Sequence, residues 1–114
     1  MYKQRDMVLI PIPFSDLKSK KRRPVIVISN SAYNAKAEDI VAVAVTSKIE
    51  EKDYATLITQ NDMEEGNLPK DSMVRADKIY SLSQLIVVKR FGKVKGETFE
   101  RIIALLNRLV ALEE

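Results

Sequence analysis

The chain has 114 residues, room for one domain with a single core. It is 46% hydrophobic and 31% charged, the composition of a folded domain, and no apolar run approaches the ~20 residues that span a bilayer. Cysteine and histidine are both absent, which excludes disulfides, thiolate nucleophiles, Cys/His metal centres and imidazole acid–base chemistry. The lack of cysteine accords with a cytoplasmic location, and Met1-Tyr2-Lys3-Gln4-Arg5-Asp6 carries no signal-peptide core. Net charge is only +3, but cations cluster at 18–23 and 89–95, and acids at 50–53, 62–65 and the C-terminus. Two basic clusters point to a polyanionic partner.

In chain order, residues 7–14 have strand composition, but Pro11 and Pro13 each remove a ladder donor, so an edge or bent strand is expected. Ser15 and Asp16 open a basic loop over 15–23, read as a hinged flap. Pro24 fixes φ and holds Arg23 extended at the mouth of a buried strand over 24–29. Residues 30–39 read as a loop with one helical turn, and Ile40 to Ser47 as an unbroken β-branched and alanine strand. A charged turn at 50–53 leads to a short strand over 55–59; residues 62–70, with Gly66, Asn67 and Pro69, read as a loop. Ser72 to Ile79 alternates as a strand, and Leu85 to Val94 reads as one or two more, interrupted near Gly92. Thr98 is the expected N-cap of a helix in which Phe99, Ile102, Ile103, Leu106, Leu109 and Val110 share a face. Glu100, Arg101, Asn107 and Arg108 take the other face. The expected fold class is mainly β (α+β), a compact and mostly antiparallel barrel of six or seven short strands with a C-terminal amphipathic helix, in one domain over 1–114.

Three strands carry the residues with chemistry to offer: Arg23 at the start of one, Thr46-Ser47 at the end of the next, and Arg75 with Asp77 in a later one. Period-two geometry puts Arg75 and Asp77 on one face with Met73 and Ile79, and Val74, Ala76 and Lys78 on the other. The commoner meaning of such a spacing is a surface ion pair worth ~0–1 kcal/mol. The sharper one is a phosphate-reactive pair. RNA can be cut without metal when a base takes the 2′-hydroxyl proton and cations stabilise the crowded phosphorane; Asp77 is the candidate base. Arginine, with a pKa above ~12, serves better as a charge, so Arg23 and Arg75 are candidate stabilisers and Thr46 or Ser47 a hydrogen-bond donor. Phe14, Tyr33, Tyr54, Tyr80 and Phe91 could stack on bases, although single aromatics in a small β-domain are mostly core. No P-loop, dinucleotide fingerprint, nucleophile elbow or EF-hand pattern occurs.

At these residues the sequence resembles the MazF/PemK (Kid-like) toxins of prokaryotic type II toxin–antitoxin systems. The likeness is carried by Arg5 to Pro11 followed by Pro13-Phe14-Ser15-Asp16-Leu17, by Arg22-Arg23-Pro24-Val25-Ile26-Val27-Ile28-Ser29, by the Ile40 to Ser47 strand ending in Thr-Ser, and by Ser72-Met73-Val74-Arg75-Ala76-Asp77. The resemblance implies an SH3-like barrel, a homodimer and a metal-independent, cofactor-free, sequence-specific endoribonuclease acting on single-stranded mRNA, with cyclic phosphate and 5′-hydroxyl products. It assigns catalytic roles to Arg23, Thr46, Arg75 and Asp77. Lys18, Lys20, Lys21, Arg22, Ser47 and Lys78 are the expected RNA contacts. It also implies a cognate antitoxin whose acidic disordered tail covers the RNA groove, and no membrane partner. Two departures stand out: the glycine usual between Arg and Asp near the start is missing at Arg5-Asp6, and the first-loop histidine of some Kid-like members is absent, with Lys18 in that loop. Two alternatives accompany this reading: a barrel that binds nucleic acid or protein without cutting, and a gyrase-inhibiting toxin of the same fold acting through the helix end at 109–114.

Overall fold

The computed structural model describes residues 1–11 and 21–114. Among these described residues seven strands form one sheet: β1 (Asp6–Pro11), β2 (Arg22–Val27), β3 (Asp39–Thr46), β4 (Ala55–Ile58), β5 (Met63–Gly66), β6 (Ser72–Ser83) and β7 (Lys89–Val94). Their order is β4-β6-β3-β2-β1-β7-β5, every neighbouring pair is antiparallel, and the sheet curls into a half-barrel. Two helices accompany it, α1 (Ser31–Lys36) and the longer α2 (Gly96–Leu109). Among the described residues no helix is long and apolar enough to cross a membrane.

Because strand side chains alternate, the sheet buries both faces. Met7, Ile26, Val43, Val45, Val74 and Val94 pack on one face together with Ile102 of α2. Val8, Val25, Val27, Ile40, Ala42 and Leu82 pack on the other. Full burial of each branched side chain contributes about 1.5–3 kcal/mol, so these rows fix the register of the central strands.

Several boundaries differ from the sequence expectations, each for a local reason. β2 begins at Arg22, two residues early, because the hairpin with β1 continues to Ile10↔Arg23 and Pro11↔Arg22. Arg23 therefore lies within the strand. The remainder of the 7–14 strand and most of the basic loop lie outside the described residues. The expected loop over 62–70 contains β5, which its composition hides: Met63 is buried, while Glu64 faces Arg5 and Lys93, and Glu65 pairs with Arg90. Cross-strand charge stands in for the missing apolar alternation. Gly66 ends β5 at φ +82°, and a Cβ there would lie 2.3 Å from the Phe91 carbonyl oxygen, so only glycine fits. β7 runs unbroken through Gly92, whereas residues 84–86 form a 3-10 turn.

At α2 the N-cap is Lys95, and Thr98 lies fully buried inside the helix. The Thr98 hydroxyl donates to Asp62 Oδ1 at 2.7 Å, Thr59 N–H donates to Asp62 Oδ2 at 2.8 Å, and Arg101 Nη2 reaches the same carboxylate at 3.3 Å. Burial pushes the Asp62 carboxyl up, but these donors together hold it below the usual range. Arg101 does not simply face solvent: its Nε donates to Thr56 Oγ1 and its Nη2 to the Leu57 carbonyl, both at 2.9 Å, tying α2 to β4.

Candidate active site

The site forms where β2, β3 and β6 end together. β2 and β3 pair at Val25↔Ala44, and continuing that register by two residues sets Arg23 opposite Thr46. β3 and β6 pair at Thr46↔Met73 and Ala44↔Arg75. Arg23 and Thr46 thus share a cross-strand row with Met73, and Arg75 lies diagonally in the next row, with Val25 and Ala44, on the same side of the sheet. Arg23, Thr46 and Arg75 line a single cavity of about 290 Å³ together with Lys48, Glu50, Lys52, Met73 and Lys78. Five cations and one carboxylate surround a space suited to an anion.

Between Val43↔Ile79 and Ala44↔Arg75 one step on β3 answers four on β6, so Ala76, Asp77 and Lys78 bulge from the ladder. The bulge breaks the expected alternation: Lys78 joins the Arg75 side of the sheet, and Ile79, opposite Val43, does not extend the Arg75 row. It also frees Asp77 to turn back on Arg75. Arg75 Nε donates to Asp77 Oδ1 and Nη2 to Oδ2, each at 2.8 Å, a bidentate fork. The Arg75 guanidinium holds the Asp77 carboxyl below the usual carboxylate range despite its partial burial, and the pairing raises Arg75 in turn. Asp77 reaches the cavity through Arg75 rather than lining it.

Thr46 Oγ1 accepts the Lys48 N–H at 3.2 Å, which engages one lone pair and leaves the hydroxyl hydrogen to donate to an oxygen in the cavity. Ser47 points to the other side of the strand. It lines a cavity of about 270 Å³ with Lys21, Arg22, Arg23, Pro24, Val45 and Thr46. Lys21, Arg22 and Arg23 are all exposed there. Lys18 and Lys20 lie outside the described residues.

Lys48, Glu50 and Lys52 are site residues that the sequence reading missed. Glu50 pairs with Lys48 at 2.9 Å and Lys52 at 3.5 Å, and its carboxyl is held below the usual range chiefly by the hydrogen bond and charge of Lys48. The signal was present as Thr46-x-Lys48-x-Glu50-x-Lys52, an alternation that carries the strand's period beyond its end. Among the described residues no group of three or more acidic side chains could hold a metal ion.

Fold and site together define a small antiparallel half-barrel with a cationic, anion-accepting cleft at one strand end. The family model of PemK-like, MazF-like toxins of type II toxin–antitoxin systems matches residues 3–110, and the chain belongs to that family. No curated protein matches it by sequence. Among solved structures it is similar to an endoribonuclease in complex with its cognate antitoxin from a mycobacterial species, with a TM-score of 0.81 at 20% identity over 100% of this chain and 99% of that one. It is also similar to the MazE–MazF complex (Form-III) of Deinococcus radiodurans, with a TM-score of 0.79 at 19% identity over 98% of each chain. Mycobacterium tuberculosis toxin MazF-mt6 superimposes with a TM-score of 0.76 at 12% identity, over 96% of this chain and 100% of the other. At such identities the superpositions speak for the fold.

Proposed function

We propose that this toxin is a metal-independent endoribonuclease that cuts single-stranded mRNA at a short sequence. The observation that supports the reading is the shared cavity: residues 23, 46 and 75, from three strands, converge on one cation-lined space. In this reading the scissile phosphate sits between the Arg23 and Arg75 guanidiniums, which stabilise the extra negative charge of the phosphorane. Thr46 donates its hydroxyl to a non-bridging oxygen. Asp77, held beside the cavity by Arg75, takes the 2′-hydroxyl proton as the 2′-oxygen attacks phosphorus; the bond to the 5′-oxygen breaks and that oxygen takes up a proton from solvent, leaving a 2′,3′-cyclic phosphate and a 5′-hydroxyl end. Lys21, Arg22, Ser47 and Lys78 hold the strand on either side, in the company of Lys18 and Lys20. A homodimer, a cytoplasmic setting and an antitoxin with an acidic disordered tail complete the reading; such a tail is complementary to the lysines and arginines around the cleft.

The test is incubation of the purified toxin with single-stranded RNA in EDTA, followed by analysis of the product ends. Cyclic phosphate and 5′-hydroxyl ends are expected. Cleavage that appears only when magnesium is restored would defeat the mechanism. Retained RNA binding with no cleavage under any condition would favour a binding module.

A further inference from the structure

The cleft has a second side. Arg23 and Pro24 are adjacent on β2, Thr46 and Ser47 adjacent at the end of β3, and alternation sends the members of each pair to opposite faces. Arg23 and Thr46 face the phosphate cavity. Pro24 and Ser47 face a groove of about 560 Å³, within the range of about 300–1,000 Å³ typical of small-ligand sites. Its floor is apolar, formed by Leu9, Pro24, Leu68 and Phe91, and Lys70 and Lys89 stand at its rim with Asn67. The cavity that holds Lys21 and Arg22 contains both members of each pair and so joins the two sides. An RNA strand with a phosphate at Arg23 and Thr46 would leave that site over Pro24 and Ser47, toward this groove.

We propose that the groove seats one base of the RNA, that of a nucleotide flanking the cut, against Phe91, and that Phe91, Leu68 and Asn67 set the base preference at that position. The proposal rests on the nuclease reading above. Three properties favour a nucleotide as the occupant. Phe91 supplies a π face, on which any base can stack. Asn67 is exposed and offers both amide donors and an acceptor to a base edge. Lys70 and Lys89 place positive charge where the next phosphate of the strand would pass. Gly66 belongs to the same construction, because its close approach to the Phe91 backbone holds the β5 end of the groove against β7.

The experiment is sequencing of the cut ends from a random-sequence single-stranded RNA pool in EDTA, for the wild type and three variants whose folding is checked by circular dichroism. Phe91→Leu keeps the apolar volume and removes the π face; it should flatten the base preference at one position beside the cut and raise KM about tenfold. Asn67→Ala should blur the preference at that same position. Lys89→Ala should raise KM severalfold with the preference intact and lower the salt dependence of binding. If Phe91→Leu fails to fold, the two exposed positions carry the test. Phe91→Leu and Asn67→Ala variants that fold and cut with wild-type preference at every position would overturn the proposal. Unchanged preferences joined to weaker capture of a synthetic acidic peptide with interspersed leucines would assign the groove to a protein partner, and overturn it too. A wild type that cuts no RNA fails the nuclease reading itself, and the base site falls with it; that result is visible before any variant is made.

Discussion

Arg5 sits at φ +80°, in the left-handed region that a side chain with a Cβ adopts only under constraint. The constraint is visible: its N–H donates to the Val27 carbonyl at 2.8 Å, its carbonyl accepts from Val94 N–H at 3.1 Å, and its Nη1 donates to the Val94 carbonyl at 3.1 Å. This is where the family resemblance leads one to look for a glycine. Arg5→Gly should therefore be more stable than Arg5→Ala by about 1 kcal/mol, the reverse of the usual cost of glycine, as read from denaturant midpoints. Equal stability would mean that the turn carries no strain. At the site, the Arg75 fork keeps Asp77 ionised below the ordinary aspartate value of about 4. With no histidine in the chain, the acidic limb of kcat/KM should fall below that value rather than near 6 to 7. Asp77→Asn should lower kcat by about 10²–10⁴-fold, the range for a lost general base, whereas Glu50→Gln should leave kcat within a few-fold. The opposite ranking would move the base to Glu50.

Helix α2 is anchored at its start by one carboxylate. Asp62 accepts from Thr59, Thr98 and Arg101, and its backbone carbonyl accepts the Lys95 N–H at 2.8 Å. Asp62→Ala should cost about 1–3 kcal/mol, because buried Thr98 loses its partner. Since the folded carboxyl titrates below its unfolded value, the contribution is present above the unfolded pKa of about 3.9 and is lost as pH falls through the lower folded value. Acid unfolding of Asp62→Ala should accordingly begin from a lower plateau and show a shallower loss in that window. The helix itself was legible in the sequence, because Phe99, Ile102 and Ile103 keep a 3.6 period that needs no partner to recognise. Its N-cap was not. Thr98 has the chemistry of a cap, and only the fold shows that its hydroxyl is spent on a residue 36 positions away. β5 was hidden for a related reason: Glu64 and Glu65 make a strand only beside Arg5, which precedes β1, and the cations of β7. The β6 bulge lies further from reach, since nothing in Arg75-Ala76-Asp77-Lys78 states that one β3 step will face four residues.

Across the whole molecule, the candidate site depends on which strand ends meet. β2, β3 and β6 are consecutive in the sheet although β4 and β5 intervene in the chain, and that order sets Arg23, Thr46 and Arg75 on one side of it, lining one cavity. The three residues were legible singly, and their company followed from the family likeness. Lys48, Glu50 and Lys52 needed the loop after β3 to be seen folding over the same space. The measurement that bears most directly on this convergence is single-turnover cleavage of a fluorescent single-stranded RNA in EDTA, comparing wild type with Arg23→Ala and Arg75→Ala. The account predicts wild-type cleavage and, for each variant, a cleavage rate lower by about 10²–10³-fold in a protein that remains folded. Cleavage at the wild-type rate by a folded Arg23→Ala variant would contradict it.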